Sequence, residues 1–365
     1  MKSKDYCIGI LSRWNATCGV SLHAEMIGRE FLRNGIQVKV FAPYLQSAFK
    51  WWHHISIRED EPYVIRCFEE ISPEGSEGRI DMDSVLKERL DALIVESWPS
   101  LSKTDVETLV WELKKRGVPS YLIVHDALRK DIKYGSLNIF EKVLIFHEGF
   151  KEIIDGKVDE DRVHIVPYPC VEIHKRERQF AEDGIIRFFS FGRQPEEEYL
   201  DYLETLKGLE RDLPSFSYKV IRCSELLPYK YGWLEQEKRV LDLDGIYDNL
   251  LQSDIHLIPK GRTEGKVVSS TLFQTMGSLC ISIAPDTNYF EDVKRCRPSP
   301  IVLYSDRKDL KEKILKVVHD KELRDMLVDS AKRYITENNI HRIAYRILSL
   351  INPILIEDFK EVINL

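Results

Sequence analysis

The fold is decided by residues 254–293, which read DIHLIPKGRTEGKVVSSTLFQTMGSLCISIAPDTNYFEDV. The stretch predicts a short apolar strand ended by a proline, a charged loop over residues 260–266, a helix capped by Ser269 or Ser270, and a buried strand over residues 280–284. A loop that leaves the carboxyl end of a parallel strand and enters a helix is a natural anion site, because free backbone N–H groups and the positive helix end both face it. The stretch therefore predicts an α/β domain that binds an anionic ligand.

The amino-terminal part of the chain predicts a second unit of the same kind. Residues 6–11 form an apolar strand, a helix begins at Gly19, and residues 36–42 form the next strand. The helix has apolar residues at helical spacing, namely Val20, Ala24, Ile27 and Phe31. The right-handed crossover places the two strands parallel. Glycine at position 19 suits either a close approach to a ligand or simply the start of the helix, and the sequence leaves both open.

Polar residues follow two further apolar strands. Glu96 comes directly after residues 92–95, and His125-Asp126 comes directly after residues 121–124. In an open parallel sheet the carboxyl ends of the strands point toward the ligand, so these side chains are candidate site residues. The alternative is that His125 satisfies a local backbone group.

Composition excludes several other classes of protein. The chain has 365 residues, enough for two domains, and its net charge of −7 does not fit non-specific nucleic-acid binding. Its seven cysteines are scattered without a C-x-x-C pair, which favours reduced thiols and argues against a structural zinc site. Neither a membrane span nor the apolar core of a signal peptide is present, so we expect a cytoplasmic protein. The pair Trp51-Trp52 leaves open a peripheral contact at the inner face of a membrane.

Residues 254–293 resemble the donor site of family 4, a family of retaining glycosyltransferases with the GT-B fold. The resemblance is carried by an aspartate before the strand, the proline that ends it, an acidic-Gly pair, a polar position on the helix and a small residue that ends the next strand: Asp254, Pro259, Glu264-Gly265, Gln274-Thr275-Met276 and Ile283-Ala284. The order of elements agrees over nearly the whole chain. The resemblance implies α/β architecture with two Rossmann-like domains facing across a cleft, and C-terminal helices that cross back to the N-terminal domain.

The resemblance also implies a division of the chain. Residues 1–171 are expected to form the acceptor domain, residues 172–184 a linker, and residues 185–340 the nucleotide-sugar donor domain. Residues 341–365 are expected to form the helices that cross back. A charged composition without apolar periodicity marks 172–184 as the linker.

The resemblance implies roles for individual residues. His125 and Glu264 are expected to be catalytic, by binding the sugar near the reacting carbon and through its hydroxyls. The donor would be held by Gly192, Arg193, Gly265, Lys266, Val267 and Gln274. The acceptor or the phosphate loop would involve Gly19, Val20, Glu96 and Asp126. No metal and no cofactor are expected, because these enzymes act on the nucleotide-diphosphate sugar without them.

The sequence departs from the family pattern at two donor positions. Gln274 stands where the family has a second glutamate, and the acidic run 196–198 stands where it has a lysine that neutralises phosphate. Lys260, Arg262 or Lys266 are the candidates to replace that lysine.

The expected function is transfer of a sugar, with retention, from a nucleotide-diphosphate sugar to a hydroxyl of a glycan, lipid or small molecule. The two departures also favour a different class, a non-catalytic GT-B protein that binds or scaffolds. A sugar-nucleotide epimerase of the same fold is a third reading, and the absence of G-x-G-x-x-G argues against a dehydrogenase. The base, the sugar, the acceptor and the oligomeric state are not determined by the sequence.

Overall fold

A computed structural model describes residues 6–49, 55–71, 78–96, 100–125, 128–132 and 136–356. The chain divides into two compact units. The first contains the described residues of 6–169, Glu264–Val267 and 340–356, and the second contains Cys170–Thr263 and Val268–Asn339. Among the described residues, no helix combines the length and apolar character that a membrane crossing requires.

The first unit is built on a parallel sheet whose described strands are β1 (Cys7–Leu11), β2 (Gln37–Pro43), β3 (Val64–Phe68), β4 (Ala92–Val95), β5 (Ser120–Ile123), β6 (Lys142–Ile145) and β7 (Val163–Ile165). Their order across the sheet is β3-β2-β1-β4-β5-β6-β7. The helices of the connections are α1 (Gly19–Arg33), α2 (Leu45–Ala48), α3 (Met82–Leu86), α4 (Lys103–Lys115) and α5 (Lys151–Ile154). The central strands β1, β4 and β5 are buried throughout, as expected for strands covered on both faces.

The second unit repeats this architecture. Its described strands are β8 (Ile186–Gly192), β9 (Phe216–Arg222), β10 (Leu234–Lys238), β11 (Ile255–Leu257), β12 (Ile281–Pro285) and β13 (Val302–Tyr304), in the parallel order β10-β9-β8-β11-β12-β13. Its helices are α6 (Glu197–Gly208), α7 (Leu243–Leu251), α8 (Ser270–Thr275), α9 (Glu291–Lys294), α10 (Arg307–His319) and α11 (Lys321–Asn338). An apolar core centred on Tyr202, Tyr218 and Leu257 joins the sheet to its helices. The prediction of two Rossmann-like α/β domains is confirmed.

The last described helix, α12 (Ile340–Ile351), belongs to the first unit. Its side chains Ile343, Ala344 and Ile347 are buried, and it packs against α1. Two polar contacts hold its end: Tyr121 and Lys142 donate to the carbonyl oxygens of Ile351 and Leu350 at 3.2 and 2.6 Å. The last described helix thus returns to the amino-terminal unit, as predicted.

Candidate functional site

Three polar side chains of the first unit meet beyond the carboxyl ends of its central strands. Strand order explains two of them: β4 and β5 are neighbours in the sheet, so Glu96, after β4, and His125, after β5, emerge side by side. The third, His23, lies in the second turn of α1, the helix that follows β1 on the other side of β4. Predicted site residues Glu96 and His125 are therefore brought together, and a residue that the sequence analysis did not select joins them.

The three side chains, which we call the His-Glu-His cluster (His23, Glu96 and His125), share one carboxylate oxygen. Nδ1 of His23 and Nε2 of His125 each lie 3.0 Å from Oε2 of Glu96. His23 and Glu96 are each only 1% exposed. Burial alone would raise the pKa of Glu96, but the charges that His23 and His125 carry when protonated, together with their hydrogen bonds, lower that pKa to about 2. Glu96 is therefore an ionised carboxylate held by two ring N–H groups.

Aromatic rings enclose the cluster. The ring of His125 meets those of His23 and Phe146 edge to face, with centroids 5.0 and 4.9 Å apart. His23 also contacts Tyr168 at 5.1 Å, and the Tyr168 hydroxyl donates to the carbonyl oxygen of Gly19 at 2.8 Å. These contacts fix the planes of both imidazoles and connect the cluster to the start of α1.

The cluster also has the composition of a metal site. Its three ligand-type atoms lie within 4.8 Å of one another, and His and Glu are ligands that Zn²⁺ accepts. The two 3.0 Å separations are, however, ordinary hydrogen-bond distances, so the three side chains account for the arrangement by themselves. That the protein needs no metal stays a prediction.

The loop between β1 and α1 is held by buried polar contacts. Arg13 pairs with Glu70 at 2.6 Å, and the backbone N–H of Asn15 donates to Glu25 at 2.9 Å. Gly19 is the first residue of α1 and, like Val20, is half-buried. The loop that leads to these two predicted residues is thus rigidly placed. Asp126, the remaining residue of this group, lies outside the described residues.

Two predicted donor residues lie at the carboxyl end of β8 in the second unit. Gly192 ends the strand with a φ of +129°, a conformation that glycine adopts without strain, and Arg193 follows it. The neighbouring loop after β11 supplies Lys260. Burial lowers the pKa of the Lys260 ammonium, Glu198 opposes that shift, and the charge of Arg193 adds to it. The charges of Arg193, after β8, and Lys260, after β11, therefore influence one another.

The acidic run 196–198 has a structural explanation. Glu197 and Glu198 form the first turn of α6, where carboxylates stabilise the positive end of the helix. Burial raises the pKa of the Glu198 carboxyl, and the backbone N–H of Gly261 opposes that shift. A Cβ added at Gly261 would lie 2.9 Å from Glu198 Oε1. A carboxylate thus stands beside Lys260.

The remaining residues predicted to bind the donor do not all belong to the same unit. Gln274 lies on α8, whose N-cap Ser269 accepts from the N–H of Leu272 at 3.2 Å. Glu264, Gly265, Lys266 and Val267 belong to the first unit, where Lys266 pairs with Glu152 at 3.3 Å. Glu264 is exposed, and among the residues described it forms no ion pair with Arg262 or Lys266.

His23 could have been found from the sequence by one signal. It lies three residues after Val20 and four before Ile27, so it shares the buried face of α1. A histidine on the apolar face of a helix that follows the first strand faces the same sheet edge as Glu96 and His125. What the sequence does not give is the order of the strands.

No protein-family model matches the sequence. Solved structures do resemble it. A glycosyltransferase from Rickettsia africae matches with a TM-score of 0.66 and 13% identity, over 97% of this chain and 99% of that chain. HepE of Anabaena, solved in complex with UDP and glucose, matches with a TM-score of 0.63 and 10% identity, over 95% and 100%.

A trehalose-6-phosphate synthase, studied for glycosyl transfer with retention, matches with a TM-score of 0.62 and 12% identity, over 95% of this chain and 99% of that chain. At identities this low, the structural likeness establishes the fold alone. The chemistry has to be inferred from the residues of the site. These likenesses show that the chain has the GT-B fold of the glycosyltransferases that it resembles.

Proposed function

We propose that the protein is a retaining glycosyltransferase that moves a hexose from a nucleotide-diphosphate sugar to a hydroxyl of a glycan, lipid or small molecule. The observation that carries the proposal is the likeness to glycosyltransferases over nearly the full length of both chains. One of these structures holds UDP and glucose, and another protein was studied for transfer with retention. Thermal shift against uridine, guanosine and adenosine diphosphate sugars, followed by release of the nucleoside diphosphate, tests the proposal.

The chemical demand of this reaction is a diphosphate that gains negative charge as it leaves. Arg193 and Lys260 present two cations at the carboxyl edge of the second sheet. Charge-assisted hydrogen bonds from such groups stabilise a leaving oxyanion. In the first unit, His125 presents an imidazole that can contact the sugar. Glu264 presents an exposed carboxylate that can accept hydrogen bonds from sugar hydroxyls.

The Arg193→Ala variant tests the diphosphate contact. We expect it to weaken nucleoside-diphosphate binding by about 1.5–3 kcal/mol, the usual size of a hydrogen bond to a charged group. Isothermal titration calorimetry with the diphosphate found by thermal shift measures the change. Arg187→Ala is the matched control, because this arginine of the same strand pairs with Asp183 on the surface and should leave affinity unchanged. Equal affinities for the parent and Arg193→Ala would remove Arg193 from the site.

The Glu264→Gln variant tests recognition of the sugar. Its exposed carboxylate has no ion pair with the cations beside it in the described chain, so its removal should leave the fold intact. We expect nucleotide affinity to stay the same and kcat to fall about 10- to 100-fold, because an amide accepts hydrogen bonds less strongly than a carboxylate. Glu107→Gln, which changes a half-buried carboxylate paired with Lys103 on α4, is the control. Release of nucleoside diphosphate by the variant at the parental rate would refute the proposed role of Glu264 in sugar recognition.

The competing function is a GT-B protein that binds or scaffolds without turnover. The observation that favours it is Glu198, whose carboxylate stands beside Lys260 where the family has a further cation. In that case no donor of the panel would release its nucleotide with glycan or lipid acceptors, and Glu264→Gln would behave like the parent in every assay.

A further inference from the structure

The hydrogen bonds of the His-Glu-His cluster determine where its protons lie. Oε2 of Glu96 is an acceptor, and a ring nitrogen 3.0 Å from it must carry the hydrogen of that contact. Nε2 of His125 and Nδ1 of His23 are therefore the protonated nitrogens. A neutral imidazole has one N–H and one lone pair, so in a neutral His125 the lone pair lies on Nδ1.

Glu96 is suited to hold the hydrogen of His125 on Nε2, because it directly follows β4 and is shielded from water. It is 1% exposed, and its second oxygen, Oε1, accepts no hydrogen bond within the described part of the chain. A buried carboxylate needs donors to replace water, and two ring N–H groups supply them. Glu96 thus depends on His23 for one of its two hydrogen-bond donors, and His125 depends on Glu96 for its orientation.

The rings around the cluster keep the imidazole of His125 from turning over. Contacts with His23 and Phe146 at centroid distances of 5.0 and 4.9 Å hold its plane. A ring rotated by half a turn about the Cβ–Cγ bond would place Cε1 where Nε2 lies, and the hydrogen bond to Glu96 would be lost. The bond to Glu96 and the aromatic contacts together select one orientation and one tautomer.

We propose that Glu96 and His23 are positioning residues that keep the proton of His125 on Nε2, so that Nδ1 accepts a hydrogen bond from a hydroxyl of the bound sugar. The sugar's role rests on the proposed function, whereas the protonation state does not. His23 acts through Glu96, and Glu96 acts through His125.

Nitrogen-15 NMR of the full chain labelled at histidine reads the tautomer directly. We expect a neutral His125 with its hydrogen on Nε2 in the parent, and a mixture of tautomers in Glu96→Gln, because the amide of glutamine also offers an N–H. Glu30→Gln is the matched control. Glu30 is another buried carboxylate, on helix α1, and it also contacts a histidine: Nδ1 of His341 lies 2.6 Å from its Oε1. It should change the signal of His341 and leave that of His125 unchanged.

Several results would overturn the proposal. These are a His125 protonated on Nδ1, a ring protonated on both nitrogens, a spectrum that Glu96→Gln leaves unchanged, and a stoichiometric metal ion found by mass spectrometry of the purified protein. The parental spectrum decides the matter even if Glu96→Gln does not fold.

The kinetic readout separates positioning from a merely structural role. We expect Glu96→Gln to lower kcat about 100-fold, and His23→Leu about 10-fold, while KM for the donor changes less than about threefold. Glu30→Gln should keep the parental kcat. Equal losses in all three variants would indicate a general effect on folding and overturn the assignment. The NMR result needs no turnover, so a protein without transferase activity would refute the proposed function while the tautomer still decides this inference.

Discussion

The His125→Ala variant is expected to bind nucleoside diphosphate as tightly as the parent and to turn over about 100- to 10,000-fold more slowly, the range that a positioned acid, base or hydrogen-bonding group contributes. Nucleotide affinity should persist because Arg193 and Lys260, the proposed diphosphate contacts, lie in the other unit. Turnover should fall because alanine removes the one side chain of the His-Glu-His cluster proposed to contact the sugar. Steady-state release of nucleoside diphosphate, with a parallel binding isotherm, measures both quantities.

Loss of the imidazole also leaves Glu96 with one N–H donor where it had two. We therefore expect the free energy of unfolding of the first unit to fall by about 1–3 kcal/mol, the desolvation penalty of an incompletely paired buried group. The kinetic comparison should be made well below the unfolding transition of the variant. His319→Ala, which removes an exposed histidine at the end of α10, is the control for both measurements. A variant that retains parental kcat would show that His125 is a structural histidine.

The sequence predicted the central strands well but missed one edge strand of each sheet. Central strands such as β4, with the sequence ALIV, are buried on both faces and appear as apolar runs. The edge strands β3 and β10 have the sequences VIRCF and LEQEK, and neither was predicted. Each pairs on one side only, so polar residues are tolerated and the apolar pattern is weak.

In the candidate site, too, the sequence predicted what is local along the chain and missed contacts between distant residues. Glu96 and His125 could be selected because each follows an apolar strand, a feature that is local in the sequence. Their contact with His23 depends on β4 lying between β1 and β5, which no local pattern encodes. The proximity of Glu198 to Lys260 likewise joins the start of helix α6 to a loop more than sixty positions away along the chain. Long-range pairings of this kind follow from topology, and composition or periodicity does not reveal them.

Asp254 opens the stretch that decided the fold, and its function in the structure is to hold the second unit together. It is 1% exposed. Oδ1 accepts from the backbone N–H of Ala181 at 3.0 Å, and Oδ2 accepts from the backbone N–H of Arg187 at 2.9 Å. Arg178 adds a charged contact at 3.3 Å. Residues 172–184, predicted as the linker, contain no helix or strand, and this carboxylate attaches them to the sheet together with the pair of Asp183 and Arg187.

We expect Asp254→Ala to lower the free energy of unfolding of the second unit by about 3–5 kcal/mol, because it leaves two backbone N–H groups without their acceptor and removes the buried carboxylate that pairs with Arg178. Asp254→Asn keeps an acceptor oxygen and loses the charge, so a smaller loss of about 1–3 kcal/mol is expected. Urea denaturation followed by hydrogen exchange of peptides from β8 and β11 assigns the change to this unit.

The matched control is Asp183→Ala. Asp183 contacts the same two arginines, Arg178 and Arg187, but its side chain is 41% exposed. An exposed ion pair contributes about 0–1 kcal/mol, so this variant should unfold close to the parent. Asp254 and Asp183 share partners and differ in access to water. Comparing their alanine variants therefore separates the effect of burial on stability from the effect of charge. If Asp254→Ala were no less stable than Asp183→Ala, the segment 172–184 would be held by its other contacts, and the aspartate that the family places before this strand would need a role outside the folding of the unit.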